Sequence, residues 1–93
     1  MVYMQVTLKV RADRRAAAGA VYARYRAPFL DTVPGAKSKE LLLRDDDVQV
    51  LHGFDTAAHA NAYLKNSLFE RDIVGELAPL LDGPPDVRVY TQA

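Results

Sequence analysis

Residues 38–54 read Ser-Lys-Glu-Leu-Leu-Leu-Arg-Asp-Asp-Asp-Val-Gln-Val-Leu-His-Gly-Phe. Two extended stretches, 38–44 centred on Leu41, Leu42 and Leu43 and 48–54, flank the polar turn Asp45-Asp46-Asp47. That spacing predicts a β-hairpin. In its second strand Val48, Val50, His52 and Phe54 fall on one face by the two-residue period of extended chain. Working outward, residues 3–10 alternate in the same way, with Met4, Val6, Leu8 and Val10 opposite Tyr3, Gln5, Thr7 and Lys9.

Between these strands the pattern changes to helical spacing. Asp13 is placed to cap a helix whose Ala18, Val21, Tyr22, Tyr25 and Phe29 form one stripe. Pro28 predicts a kink or break, an end near Asp31, and a loop at Val33-Pro34-Gly35. After the hairpin, Asp55 or Thr56 caps a second helix with the stripe Ala57, Ala60 and Leu64. Ser67 and Glu70 have capping-box spacing for a further helix that buries Phe69, Ile73, Leu77 and Leu80. Asp82-Gly83-Pro84-Pro85 stops it, and Val87 and Val89 alternate with Arg88 and Tyr90 in a last strand over 86–91. The order β-α-β-β-α-(α)-β is the ferredoxin-like split βαβ of α+β proteins, with one four-stranded antiparallel sheet in a single domain, 1–93.

The alternation assigns each sheet face a role. Met4, Val6, Leu8, Val10, Val48, Val50, Phe54, Val87 and Val89 belong under the helices, with His52 among them. Tyr3, Gln5, Thr7, Lys9, Gln49, Leu51, Arg88 and Tyr90 are too apolar for free solvent and too polar for a core. A second copy of the chain fits that face, so a homodimer through the open sheet is expected.

Composition narrows the function classes. With 12 basic and 12 acidic residues the formal charge is zero, which offers no pull toward nucleic acid or an anionic membrane. Absence of cysteine removes disulfides, thiolate chemistry and zinc fingers. No apolar run approaches the roughly 20 residues of a membrane span, and no signal peptide is read, so a cytoplasmic location is expected. Phosphate-binding glycine motifs and the serine-hydrolase elbow are absent, and two histidines seven apart make a poor metal site. No metal, haem, flavin or nicotinamide is expected. The arginines Arg11, Arg14, Arg15, Arg24 and Arg26 and the Asp45–Asp47 run read as solvated surface.

The turn Val33-Pro34-Gly35, the helix entry Phe54-Asp55-Thr56-Ala57 with Ala62-Tyr63-Leu64 after it, and the closing Pro85-Asp86-Val87-Arg88-Val89-Tyr90 carry a family resemblance. With the element order over residues 3 to 91, the chain resembles the dimeric α/β-barrel superfamily, in the branch of the antibiotic-biosynthesis monooxygenase-like proteins. The resemblance implies a homodimer with facing sheets and a small-molecule pocket between helices and sheet. Relatives of this kind include cofactor-free monooxygenases of aromatic polyketides or quinols, haem-degrading oxygenases, lactone isomerases and proteins with no known reaction. Haem-degrading members share an asparagine, tryptophan and histidine set, and this chain has no tryptophan.

These readings converge on a site beneath the first helix. His52, the ionisable group on an aliphatic face, is the candidate proton acceptor, with an ordinary imidazole pKa of roughly 6.5 suited to deprotonating a phenol. Tyr22, Tyr25 and Phe54 are candidate substrate-binding groups, with Tyr63 at the edge and His59 at the surface or rim. Expected function is a small cofactor-independent monooxygenase-like protein that binds an aromatic or quinone-like molecule. The residues equally allow a non-catalytic metabolite-binding or regulatory homodimer, or an interaction module with a filled core. A cavity of several hundred cubic ångströms under the helices separates the first two from the third.

Overall fold

The computed structural model describes residues 1–93. Strands β1 (Val2–Leu8), β2 (Ala36–Leu43), β3 (Val48–Phe54) and β4 (Asp86–Thr91) form one sheet in the order β2-β3-β1-β4, with every neighbouring pair antiparallel. This is the ferredoxin-like arrangement read from the sequence. Helix α1 (Arg15–Thr32) follows β1 through the 3-10 turn Ala12–Arg14, and α2 (Ala57–Tyr63) follows β3. Helix α3 (Ser67–Phe69) continues as a π-helical stretch, Glu70–Leu77, and a 3-10 turn, Ala78–Leu80. No helix is long and apolar enough to cross a membrane.

The sheet faces divide as the two-residue period requires. Met4, Val6 and Leu8 pair across the ladder with His52, Val50 and Val48, and all six are buried under the helices. The opposite side carries Tyr3, Gln5, Thr7, Gln49 and Leu51, all half-buried, with Leu42 44% and Tyr90 49% exposed beside them.

Several boundaries differ from the sequence reading for identifiable reasons. β1 stops at Leu8 rather than residue 10 because Leu8 pairs with Val48, the first residue of β3, and no partner lies beyond it. Val10 bridges Leu81 instead, and Lys9 O accepts from Asp82 N. β2 begins at Ala36, two residues early, because Gly35 turns the chain just before it at φ 78°. A bulge at Lys37 then sets Ala36 opposite Phe54 and Ser38 opposite Gly53. Arg44 belongs to the turn, where its guanidinium holds Asp47 at 2.8 and 2.9 Å.

The helices also depart from expectation. Asp13 does not cap α1; it lies in the 3-10 turn, 3.5 Å from Arg11. α1 runs through Pro28 without a break, because proline removes only one donor while buried Phe29 and Val33 anchor the last turn. Thr56 caps α2 by accepting from His59 N. The α2 stripe is rotated from the expected Ala57-Ala60-Leu64: Ala60 and Tyr63 are buried, while Ala57 and Leu64 face solvent. Asn66, not Ser67, caps α3, its side chain accepting from Leu68 N at 2.8 Å. Four of the arginines read as solvated surface are engaged: Arg11 pairs with Asp13, Arg15 donates to the Arg44 and Asp45 carbonyls, Arg24 pairs with Glu76, and Arg26 donates to Lys39 O.

Candidate functional site

Lys39 stands opposite His52 in the β2–β3 ladder, on the same face as Leu41, so the strand period drives its side chain under the helices. There Lys39 Nζ donates to Asp72 Oδ2 at 2.6 Å, and neither side chain is exposed. The π-helical stretch supplies Asp72. Three rings surround the ammonium, with centroids 5.5 Å (Phe29), 5.9 Å (Tyr25) and 6.0 Å (Tyr22) away. Tyr22 OH and Arg26 Nε donate to the Lys39 carbonyl at 2.6 and 3.2 Å.

An aromatic shell adjoins the pair through Phe29. Phe29 meets His52, Phe54 and Tyr63 edge-on at 5.1, 5.6 and 5.1 Å, and Tyr63 meets Phe69 at 5.3 Å. In and beside it three buried polar atoms have no partner: His52 Nε2, Tyr63 OH and Asp72 Oδ1. Buried polar groups are nearly always paired, so these three atoms are the interior groups left to make a further hydrogen bond. His52 Nδ1 lies 3.4 Å from Met4 O, which only accepts, so Nδ1 carries the proton and Nε2 presents a bare lone pair.

Burial sets the protonation chemistry. Desolvation lowers the Lys39 pKa and raises that of Asp72, and in each case the partner's charge opposes the shift. The Tyr63 phenol is raised by burial and then by the Asp72 charge. Burial, followed by the Lys39 charge, pushes His52 down to about 3, which corrects the expectation of an imidazole titrating near neutrality. His52 is neutral at pH 7.

The other anticipated residues take distinct places. His52, Phe54 and Tyr63 sit together in the shell, and Tyr63 is in its centre rather than at an edge. Tyr22 and Tyr25 are half-buried beside Lys39, but their hydroxyls are engaged, Tyr22 with the Lys39 carbonyl and Tyr25 with the Glu76 carboxylate. His59 lies outside the cluster, with Nδ1 2.6 Å from Asp55 Oδ1. Lys39 and Asp72 were missed. Their signals were the shared face of Lys39 and Leu41 and the position of Asp72 three residues after buried Phe69.

The cavity expected under α1 is filled by the interlocked rings. The two hollows of the molecule lie elsewhere: about 350 Å³ beside Thr7, Leu42, Arg44 and Gln49, and about 430 Å³ among Lys9, Arg11, Arg15, Asp45 and Asp82.

No family model matches the chain, and no curated protein does. Solved structures do resemble it. A provisionally named antibiotic biosynthesis monooxygenase from Bordetella bronchiseptica superposes with a TM-score of 0.84 at 14% identity, over 99% of this chain and 96% of that one. One from Caulobacter crescentus gives 0.82 at 17% identity, over 99% and 89%. A protein of unknown function from Nitrosomonas europaea gives 0.78 at 20% identity, over 96% and 85%. At such identities the likeness concerns architecture, and function has to be argued from the site. The chain has the fold of the antibiotic-biosynthesis monooxygenase-like proteins.

Proposed function

We propose that this protein is a small cofactor-independent, monooxygenase-like protein that binds a phenolic, aromatic or quinone-like molecule against Lys39, His52, Tyr63 and Asp72. The observation that carries this reading is the group of three unpartnered polar atoms around a buried ion pair beside an aromatic shell. Rings supply the apolar contact and the orphans supply orientation. His52 Nε2 accepts a hydrogen bond from a substrate hydroxyl, and Tyr63 OH donates to a substrate oxygen. Tyr22, Tyr25 and Phe54 complete the wall. Deprotonating the phenol makes its ring electron-rich enough to react with dioxygen. In the balanced reaction a ring C–H becomes C=O, the phenol loses its O–H hydrogen, and dioxygen supplies one oxygen to the ring and leaves as one water. The Lys39–Asp72 pair is closed to solvent, so ligand entry requires the elements around it to part.

A second reading is a non-catalytic metabolite-binding or regulatory homodimer, while the filled shell itself favours the third, an interaction module with a filled core, which shows neither signal below. Both readings use the open sheet face as the dimer surface, through Gln5, Thr7, Leu51, Arg88 and Tyr90. Oxygen uptake and thermal shift with 1-naphthol, hydroquinones and lactones separate them. A ligand at a hundred times its dissociation constant stabilises by about 2.7 kcal/mol. An enzyme consumes oxygen with a phenol, and His52→Phe cuts turnover at least about tenfold while binding persists. A binding protein shows the shift without oxygen uptake. If neither is seen with any of these ligands, the proposed site is wrong.

A further inference from the structure

We infer that the hollow of about 430 Å³ at the end of the sheet, between the β1–α1 connection, the β2–β3 turn and Asp82, is a second binding site. It takes a small zwitterion of dipeptide size, with the ligand's carboxylate on Arg15 and its ammonium on Asp45 and Asp82. The hollow shares no residue with the aromatic cluster or with the dimer residues Gln5, Thr7, Leu51, Arg88 and Tyr90, so it stands apart from the reading above.

Opposite charges face this space without meeting. Lys9, Arg11 and Arg15 line it together with Asp45, Asp46 and Asp82, and no ion pair joins any two of the six. Arg11 turns instead to Asp13 at 3.5 Å, and Asp46 to Arg44 at 3.6 Å. Lys9, Arg15, Asp45 and Asp82 have no ion pair at all. A simple anion in the hollow would meet the carboxylates as well as the cations, and a simple cation would meet the reverse. A zwitterion gives each sign its complement and leaves the charge of the site unchanged. Val10 and Ala12 are the apolar members of the lining, so the charged ends of the ligand carry recognition. The volume falls in the range of small-molecule sites, roughly 300–1,000 Å³.

The walls are tied together before a ligand arrives. Val10 bridges Leu81, and Asp82 N donates to Lys9 O at 2.8 Å, which joins the β1–α1 connection to the end of the last helical segment. Half-buried Arg15 joins the start of α1 to the hairpin, Nη1 donating to Arg44 O at 2.7 Å and Nη2 to Asp45 O at 2.8 Å. Both acceptors are neutral carbonyls. The guanidinium is therefore held in position without a carboxylate of its own, and the N–H groups it has left can take one from a ligand as charge-assisted hydrogen bonds. Fixing the cationic wall in advance lowers the cost of ordering it on binding.

The test titrates the intact protein at pH 7 with diglycine, with N-acetyldiglycine, which lacks the ammonium, and with glycylglycinamide, which lacks the carboxylate. Amide NMR shifts report both place and affinity. Diglycine should move the amides of residues 9–15, 45–46 and 82 and bind at least about tenfold more tightly than either blocked form. The double variant Asp45→Asn with Asp82→Asn should bind diglycine about tenfold more weakly while holding N-acetyldiglycine no less tightly. Arg15→Gln should weaken diglycine and N-acetyldiglycine but not glycylglycinamide. Because Arg15 also fastens the hairpin, the aspartate variant is the one that reads the site by itself. A blocked form that binds as tightly as diglycine overturns the inference, as does unchanged diglycine affinity in the aspartate variant. Shifts confined to other residues, or none with diglycine, overturn it too. No phenol enters these measurements, so the reading of the aromatic cluster is untouched by any of these results.

Discussion

Lys39 and Asp72 lie 33 positions apart in sequence and meet at 2.6 Å with both side chains fully withdrawn from water. Removing one partner leaves the other charge buried and uncompensated. Lys39→Met should therefore cost roughly 3–5 kcal/mol, whereas Lys39→Met with Asp72→Leu should recover most of that loss. Urea unfolding of the two single variants and the double variant gives the coupling directly. A double variant as unstable as Lys39→Met alone would show that the pair is not the coupled unit.

His52 provides a stability test through pH. Its folded pKa is about 3, below the 6.5 of a free imidazole, so between those values the unfolded chain binds a proton that the folded chain does not. Stability contributed by the neutral ring is complete above pH 6.5 and lost as pH falls toward 3. Wild type should lose about 1 kcal/mol per pH unit across this window relative to His52→Phe, which has no such proton. Parallel stability curves for the two proteins would contradict the assignment.

Gly35 turns the chain at φ 78°, and a Cβ there would run into Asp55 Oδ1 and the His59 ring. Gly35→Ala should therefore destabilise by roughly 1–3 kcal/mol in urea unfolding. Adding His59→Ala should return part of this by clearing space, while the backbone strain remains. An unchanged midpoint in Gly35→Ala would disprove the close approach.

Leu51 sits half-buried in the middle of the open sheet face, between Gln5 of β1 and Glu40 of β2 in register. If that face joins two copies, Leu51→Asp places a carboxylate in the interface and shifts the equilibrium to monomer. Light scattering at micromolar concentration should show a dimer for wild type and a monomer for the variant. A wild-type monomer would sink this prediction.

How far the sequence led depended on whether each position obeyed a local period. Strand β3 was readable end to end because Val48, Val50 and Phe54 keep the two-residue period, with His52 the one polar residue among them, and the turn is acidic. α2 was placed but rotated, since its run of alanines lets several stripes compete and only the sheet settles that Ala60 and Tyr63 go inward. At α3 the period itself changes, because Glu70–Leu77 winds as a π-helix. His52 was recognised from the face it occupies, yet its protonation is set by burial under the helices and then by the charge of a lysine from another strand. Lys39 and Asp72 each look like ordinary solvated charges in their own segments. Only the tertiary fold brings them together.

Both halves of that pair are carried on irregular backbone: Lys39 comes two residues after the bulge at Lys37, and Asp72 sits within the π-helical stretch. Bulges and π-turns each amount to one extra residue inserted into a regular ladder. A gap-free alignment of this chain with a relative lacking either insertion would therefore slip by one position on one side of it. Matching lysine with lysine and aspartate with aspartate would then fail even where the three-dimensional partners are retained. Relatives that share the pair are better sought by where their chain length changes, at the start of the second strand and within the last helical segment, than by residue type at fixed spacing.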